Sequence, residues 1–161
     1  MPLAQTPTQK KTGLVIDRRS HTIKLTRNFD APRAEIFEAW TNPEHVACWW
    51  DPAGEPLAAC EIDLRPGGSF KFITKDHPDM PFAGTYLEIA PPGRLTFEAL
   101  GATGRVILEE AHGGTNMAVE IECRSAEHLD QYLEMGIDVG TAQTLDNLVA
   151  YARRRSAVSS G

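Results

Sequence analysis

The sequence predicts an α+β domain: a curved antiparallel sheet wrapped around a long C-terminal helix, with two short helices after the first strand. Three observations carry that prediction. Short segments between residues 21 and 121 alternate apolar with polar side chains, Pro/Gly turn signals separate them, and a helical apolar stripe follows Ser125. At 161 residues and 42% hydrophobic content there is room for one domain, which would bury about two-thirds of the surface its unfolded chain exposes, enough for a core without disulfide or metal.

The first strand is His21 to Phe29, where Ile23, Leu25 and Phe29 fall on alternate positions. Asp30-Ala31-Pro32-Arg33 stops it, and Pro32 suits the first turn of a short helix whose stripe is Ile36, Phe37 and Trp40. Asn42 as N-cap, Pro43 at the first position and Glu44 against the dipole start a second short helix ending near Trp49. From Glu55 to Ile121 the alternating sets are Ile62 and Leu64; Phe70 and Phe72; Thr85, Leu87 and Ile89; Leu95 and Phe97; Val106 and Leu108; and Met117, Val119 and Ile121. Arg65-Pro66-Gly67-Gly68 and Pro91-Pro92-Gly93-Arg94 suit type II turns, while His112-Gly113-Gly114-Thr115 offers the positive-φ pair of a tight hairpin. Gly101 and Gly104 also read as turn glycines. Ser125 then caps one long helix of about 27 residues to Arg154, with Leu129, Leu133, Ile137, Gly140, Thr144, Leu148 and Ala152 as its stripe.

The domain spans residues 20–155, between a flexible polar tail at 1–19 and a second tail at 156–161. No apolar run is long enough for a signal peptide or a membrane span, so no membrane is expected as partner. Cys48, Cys60 and Cys123 are an odd set without metal-ligand spacing, which fits a reducing cytoplasm. The net charge of −6 is uneven: residues 1–30 hold six basic and two acidic side chains and residues 153–155 three arginines, so residues 31–152 hold seven basic against twenty acidic, a balance of −13. Such a body repels phosphate backbones and excludes nucleic acid as the expected partner.

Several segments resemble the activator-of-Hsp90-ATPase-homologue-like family, a branch of the START-like (SRPBCC, helix-grip) superfamily. They are Phe29-Asp30-Ala31-Pro32-Arg33, Phe37-Glu38-Ala39-Trp40-Thr41-Asn42-Pro43-Glu44, Trp49-Trp50-Asp51-Pro52, Glu61-Ile62-Asp63-Leu64-Arg65-Pro66-Gly67-Gly68-Ser69-Phe70, Gly84-Thr85-Tyr86-Leu87-Glu88-Ile89 and Gly140-Thr141-Ala142-Gln143-Thr144-Leu145-Asp146-Asn147-Leu148. The similarity spans roughly residues 22–153. It implies a helix-grip fold enclosing an apolar cavity, and no common reaction, cofactor or metal. In two places this chain departs from the family pattern: Asp51 stands where Gly commonly follows the tryptophan, adding an acid beside the expected pocket mouth, and Thr141 stands where Trp is frequent, widening the floor.

The expected function is binding of a small hydrophobic molecule between sheet and C-terminal helix, with a cavity wall drawn from Trp49, Trp50, Phe70, Phe72, Tyr86, Leu87, Phe97, Met117, Ile137, Gly140, Thr141 and Thr144. Adjacent indoles cannot both enter one core, so of Trp49 and Trp50 one is structural and the other free to rim the cavity. Gly136 and Gly140 on the buried helix face either leave room for a ligand or allow close packing or a kink. Polar specificity would come from Thr141, Thr144, Tyr86 or an indole N–H, although Tyr86 and Glu88 share a face that reads best as outward strand surface. Glu61, Asp63 and Arg65 read as a solvent-side charged row. Cys48, three residues after His45, reads as a buried inert thiol, and the scattered histidines offer no metal site and no catalytic set. A chaperone-interacting module and a cyclase, dehydratase or hydrolase using the same cavity are the alternatives, and apolar strand edges allow a homodimer.

Overall fold

The computed structural model describes residues 13–160, with side chains through Arg155; the rest of the expected tails, residues 1–12 and Gly161, lies outside the described residues. Eight strands form one antiparallel sheet in the order β1-β2-β8-β7-β6-β5-β4-β3. They are β1 (Leu14–Asp17), β2 (Thr22–Phe29), β3 (Ala59–Ile62), β4 (Ser69–Ile73), β5 (Phe82–Ala90), β6 (Arg94–Ala99), β7 (Ala102–Ala111) and β8 (Gly114–Glu122). Between β2 and β3 stand α1 (Arg33–Thr41) and α2 (Pro43–Trp49), and after β8 come α3 (Ala126–Glu134) and α4 (Ile137–Ser160). This is the helix-grip arrangement, α+β with the sheet curved around the C-terminal helix.

The helix starts follow the side chains that announce them. Pro32 precedes α1 in extended conformation, and the Asn42 side chain accepts the Glu44 N–H at 3.0 Å to open α2. Ser125 accepts the His128 N–H at 3.1 Å to open α3. Arg65-Pro66-Gly67-Gly68 is a type II turn, closed by Gly68 N to Arg65 O at 2.7 Å with Gly67 at φ +84°.

Several expectations need correction. The N-terminal tail gives way at Leu14 to strand β1, because a four-residue edge strand needs little alternation of its own once β2 supplies the ladder, Leu14 opposite Leu25. At the other end α4 runs through Ser160, past the expected boundary at residue 155. The expected single C-terminal helix is two helices: Met135 caps α3 and Gly136 takes φ +75°, a left-handed conformation that ends an α-helix and that Gly adopts without strain. The double-proline turn closes one residue early, from Gly93 N to Ala90 O at 2.9 Å, and Gly93 does not adopt a positive φ. Finally, Leu64 lies beyond the end of β3 and is exposed, whereas Gly104 lies inside β7, not in a turn. The turns there use Leu100-Gly101 and His112-Gly113, both pairs at positive φ between paired Ala99 and Ala102, and Ala111 and Gly114.

The core fills the space between α1, α2, α4 and the β2-β8-β7 side of the sheet, where Ile23, Leu25, Ile36, Trp49, Val106, Met117, Leu145 and Leu148 are buried. Arg27 also faces the helix: its guanidinium donates to Asp146 at 2.9 Å and to the Ala142 carbonyl at 3.2 Å.

Candidate ligand-binding cavity

The site begins at the end of α2, where successive residues on a helix point about 100° apart and so send the two indoles different ways. Trp49 enters the core, fully buried, with its indole N–H donating to Ala39 O at 3.1 Å and its ring edge-on to Trp40 at 4.9 Å. Trp50 leaves the helix and lies against Phe72 at 4.9 Å and Phe82 at 5.0 Å. The chain after it is fastened to α4: the Thr144 hydroxyl donates to Trp50 O at 3.0 Å and the Asn147 amide to Asp51 O at 2.9 Å. Asp51 itself is buried and accepts the Ala53 N–H at 2.9 Å, so the acid expected at the pocket mouth closes a local turn instead, and Pro52 lines the cavity.

Between this segment, strands β6 to β8 and the first turns of α4 lies a cavity of about 240 Å³. Six of the expected residues line it: Trp50, Phe97, Ile137, Gly140, Thr141 and Thr144. A Cβ built on Gly140 would meet nothing within 4 Å, so this glycine opens volume and does not serve close packing. Gly136, which also lines the cavity, is the helix break. On the opposite wall a Cβ on Gly104 would fall 2.5 Å from the Phe97 ring, so the missing side chain lets that ring lie flat on the strand.

A smaller void of about 20 Å³ adjoins it, walled by Phe70, Phe72, Tyr86 and Leu95 and sharing Trp40, Trp50, Phe82 and Phe97 with the larger one. Phe70, Phe72 and Tyr86 therefore belong to this inner recess. Three expected residues line neither space. Trp49 is core, Met117 is core with its sulfur accepting the Trp40 indole N–H at 3.4 Å, and Leu87 is 47% exposed on the outer face. A β-bulge between Tyr86 and Glu88 explains the last: the extra residue interrupts alternation, so Tyr86 turns in while Leu87 and Glu88 turn out. The expectation that Tyr86 shares an outward face with Glu88 fails for the same reason.

Neither wall contains a charged side chain. Burial pushes the Tyr86 phenol well above its ordinary range and the Tyr132 phenol up to about 12. Tyr132 donates its hydroxyl proton to Leu100 O at 2.8 Å. Burial likewise pushes the Cys60 thiol, near Tyr86, up to about 11. Cys48, expected as buried, is exposed with its thiol donating to Glu44 O at 3.4 Å, and His45 turns away from it to Tyr151. Asp63 and Arg65 form a surface ion pair at 2.9 Å. Among the described residues no three His, Cys, Asp or Glu side chains are grouped to hold a metal ion, and no helix is long and apolar enough to cross a membrane.

Sequence reasoning missed Trp40, Phe82, Val119, Ile121, Tyr132 and Leu145 in the larger wall. Val119 and Ile121 follow Met117 on the same alternating face of β8, so the face was readable but not which stretch of it borders empty space.

The fold has many solved counterparts. Protein NE0264 from Nitrosomonas europaea is 22% identical with TM-score 0.76, over 84% of this chain and 96% of that one. Protein Ms6760 from Mycobacterium smegmatis is also 22% identical with TM-score 0.76, over 88% and 97%. The AHSA1-like protein from Aeromonas hydrophila, seen by solution NMR, is 22% identical with TM-score 0.70, over 84% and 94%. At that identity the likeness establishes the fold alone. No curated protein matches the sequence significantly. The family model described as activator of Hsp90 ATPase homolog 1-like protein matches residues 30–153, which is most of the domain, and the chain belongs to that family.

Proposed function

We propose that this protein reversibly binds a small, neutral, largely apolar molecule in the space between the sheet and the start of α4. The observation that carries the reading is an apolar hollow of about 240 Å³ onto which Gly140 opens with nothing within 4 Å of its missing Cβ. An aliphatic cavity of about 150 Å³ accepts benzene, so the guest is a molecule of one or two rings and not a long-chain lipid. Removal of its surface from water supplies the affinity, at about 25 cal/mol per Å². A charged group would enter without a counter-charge and be penalised. Three separate thiols, Cys48, Cys60 and Cys123, suit a reducing cytoplasm.

The experiment is a thermal-shift and NMR screen of neutral one- and two-ring compounds against the wild-type protein and Gly140→Leu. Binders should raise the melting temperature of the wild type, and Gly140→Leu, which fills the hollow, should weaken them more than about tenfold without unfolding the chain. If nothing binds, or the variant binds equally well, the reading is wrong. The family description favours a second reading, a chaperone-docking module using the acidic outer surface. An internal substitution at Gly140 would leave such docking intact, so the same variant separates the two.

A further inference from the structure

Thr22, Thr41, Thr96, Thr115 and Thr144 are buried, and each bonds its hydroxyl inside the protein. Thr41, within α1, does so as helical threonines commonly do, donating to the carbonyl four residues back, Phe37 O, at 2.9 Å. Thr141 stands in the first turns of α4 and lines the larger hollow, yet its hydroxyl takes neither that route nor any other among the described residues. The tryptophans repeat the contrast. The Trp40 indole N–H donates to Met117 Sδ at 3.4 Å and that of Trp49 to Ala39 O at 3.1 Å, whereas that of Trp50, which also lines the hollow, has no acceptor among the described residues. Neither group is sealed in protein, since the buried side-chain polar atoms without a partner are, among the described residues, His21 Nδ1 and Asp138 Oδ1. The other hydroxyls of the wall are committed, Tyr132 to Leu100 O and Thr144 to Trp50 O. Thr141 and Trp50 are therefore the two polar side chains of this wall left to meet a guest.

The fold also brings them together. The Thr144 hydroxyl holds Trp50 O at 3.0 Å, and Thr141 lies three residues earlier on the same face of α4, so Trp50 is fastened within one helical turn of Thr141. An indole N–H is a donor only, and a hydroxyl can donate, so the oxygen that answers both is an acceptor with two lone pairs. We propose that Thr141 and Trp50 are the specificity-determining residues of this cavity, donating to a carbonyl oxygen on an otherwise apolar one- or two-ring ligand. The inference rests on the cavity-binding reading and adds to it the ligand's polar group and the side of the hollow that receives it. With no cation in the wall, a carboxylate or phosphate in that place would be desolvated without a counter-charge, which leaves the neutral carbonyl of a ketone, lactone or quinone as the matching class.

The test uses the full chain and two probes of nearly equal size, 1-tetralone and its carbonyl-free counterpart tetralin, titrated by NMR into wild type and Thr141→Val. Valine keeps the shape and removes the hydroxyl, so the ratio of the two affinities should fall about fivefold, the factor one net hydrogen bond supplies, with tetralin affinity retained. The ligand-free variant should melt with the wild type, because the hydroxyl it loses makes no bond inside the protein. For Trp50 the readout is its own indole proton, assigned by its loss in Trp50→Phe, which should move further downfield with 1-tetralone than with tetralin. An unchanged ratio, or a Thr141→Val protein that melts several degrees lower, overturns the role of Thr141; an indole proton that moves alike with both probes overturns that of Trp50; tetralin bound with 1-tetralone excluded overturns both. Each of these leaves the cavity reading intact. If neither probe nor any other neutral one- or two-ring compound binds the wild type, the cavity reading fails and the assignment with it.

Discussion

The two ends of α4 face the same sheet and do opposite things. Toward its C-terminal half Leu148 is wholly buried, with Leu145 at the border, and the interior there is solid. Toward its start the inward positions are Ile137, Gly140, Thr141 and Thr144, and the interior is hollow. The opposite wall differs in parallel: Ile23, Leu25 and Met117 stand up from β2 and β8 to meet the solid end, while Phe97 lies flat over Gly104 beneath the hollow. The difference teaches that a grip of this kind is filled or emptied by side-chain size on one helix face, without change in backbone architecture.

That contrast can be broken most directly by swapping sizes. Leu148→Ala should cost about 2–5 kcal/mol in denaturant unfolding, the usual cost of a cavity in a filled core. The change at Gly104 should cost less: Gly104→Ala drives a Cβ into the Phe97 ring, which has open space to move into, so a loss of about 1–2 kcal/mol is expected together with a smaller cavity and weaker binding of the screened compounds. Gly140→Ala should do the reverse of Leu148→Ala and stabilise by up to about 1 kcal/mol through helix propensity, since its Cβ meets nothing. A loss of stability there would mean the hollow is closed in solution.

The smallest effect concerns what holds the filled end. The His45 ring, with its side chain 14% exposed, meets the Tyr151 hydroxyl at 2.5 Å and the Arg155 guanidinium at 2.9 Å, while Glu38 lies 3.8 Å from its other nitrogen. Desolvation first, and Arg155 second, hold the imidazole below its ordinary 6.5, against the opposing pull of Glu38 and Glu44. The unfolded chain then binds the proton more readily, so this contribution to stability is complete above about pH 6.5 and declines as pH falls through the folded-state value. His45→Gln should reduce the fall in melting temperature between pH 7.5 and 5.0 by about 1–3 °C, with ligand binding at the other end of α4 unaffected.

Much of this architecture was legible beforehand because it rests on local chemistry. Asn42 and Ser125 announce helix starts through side-chain caps, Pro66-Gly67 announces a turn, and alternation marks the buried strand faces. Half of the expected cavity wall was legible for the same reason, since Phe97, Ile137, Gly140, Thr141 and Thr144 lie on faces that periodicity orients and Trp50 on the segment the family motif marks. The expectations for Met117 and for Leu87 failed differently. Met117 and Val119 share one alternating face, and only their distance from α4 separates core from cavity; at Leu87 a bulge broke the alternation itself.

By itself the sequence determined the element types, most of their order and boundaries, and the faces they bury, because caps, turn residues and periodicity act within a few positions of the chain. Tertiary structure decided where the interior stays empty, that α3 and α4 part at Gly136, and that Tyr86 turns inward while Leu87 does not. Those outcomes depend on what the opposite wall presents, and free volume is a property of two surfaces at once.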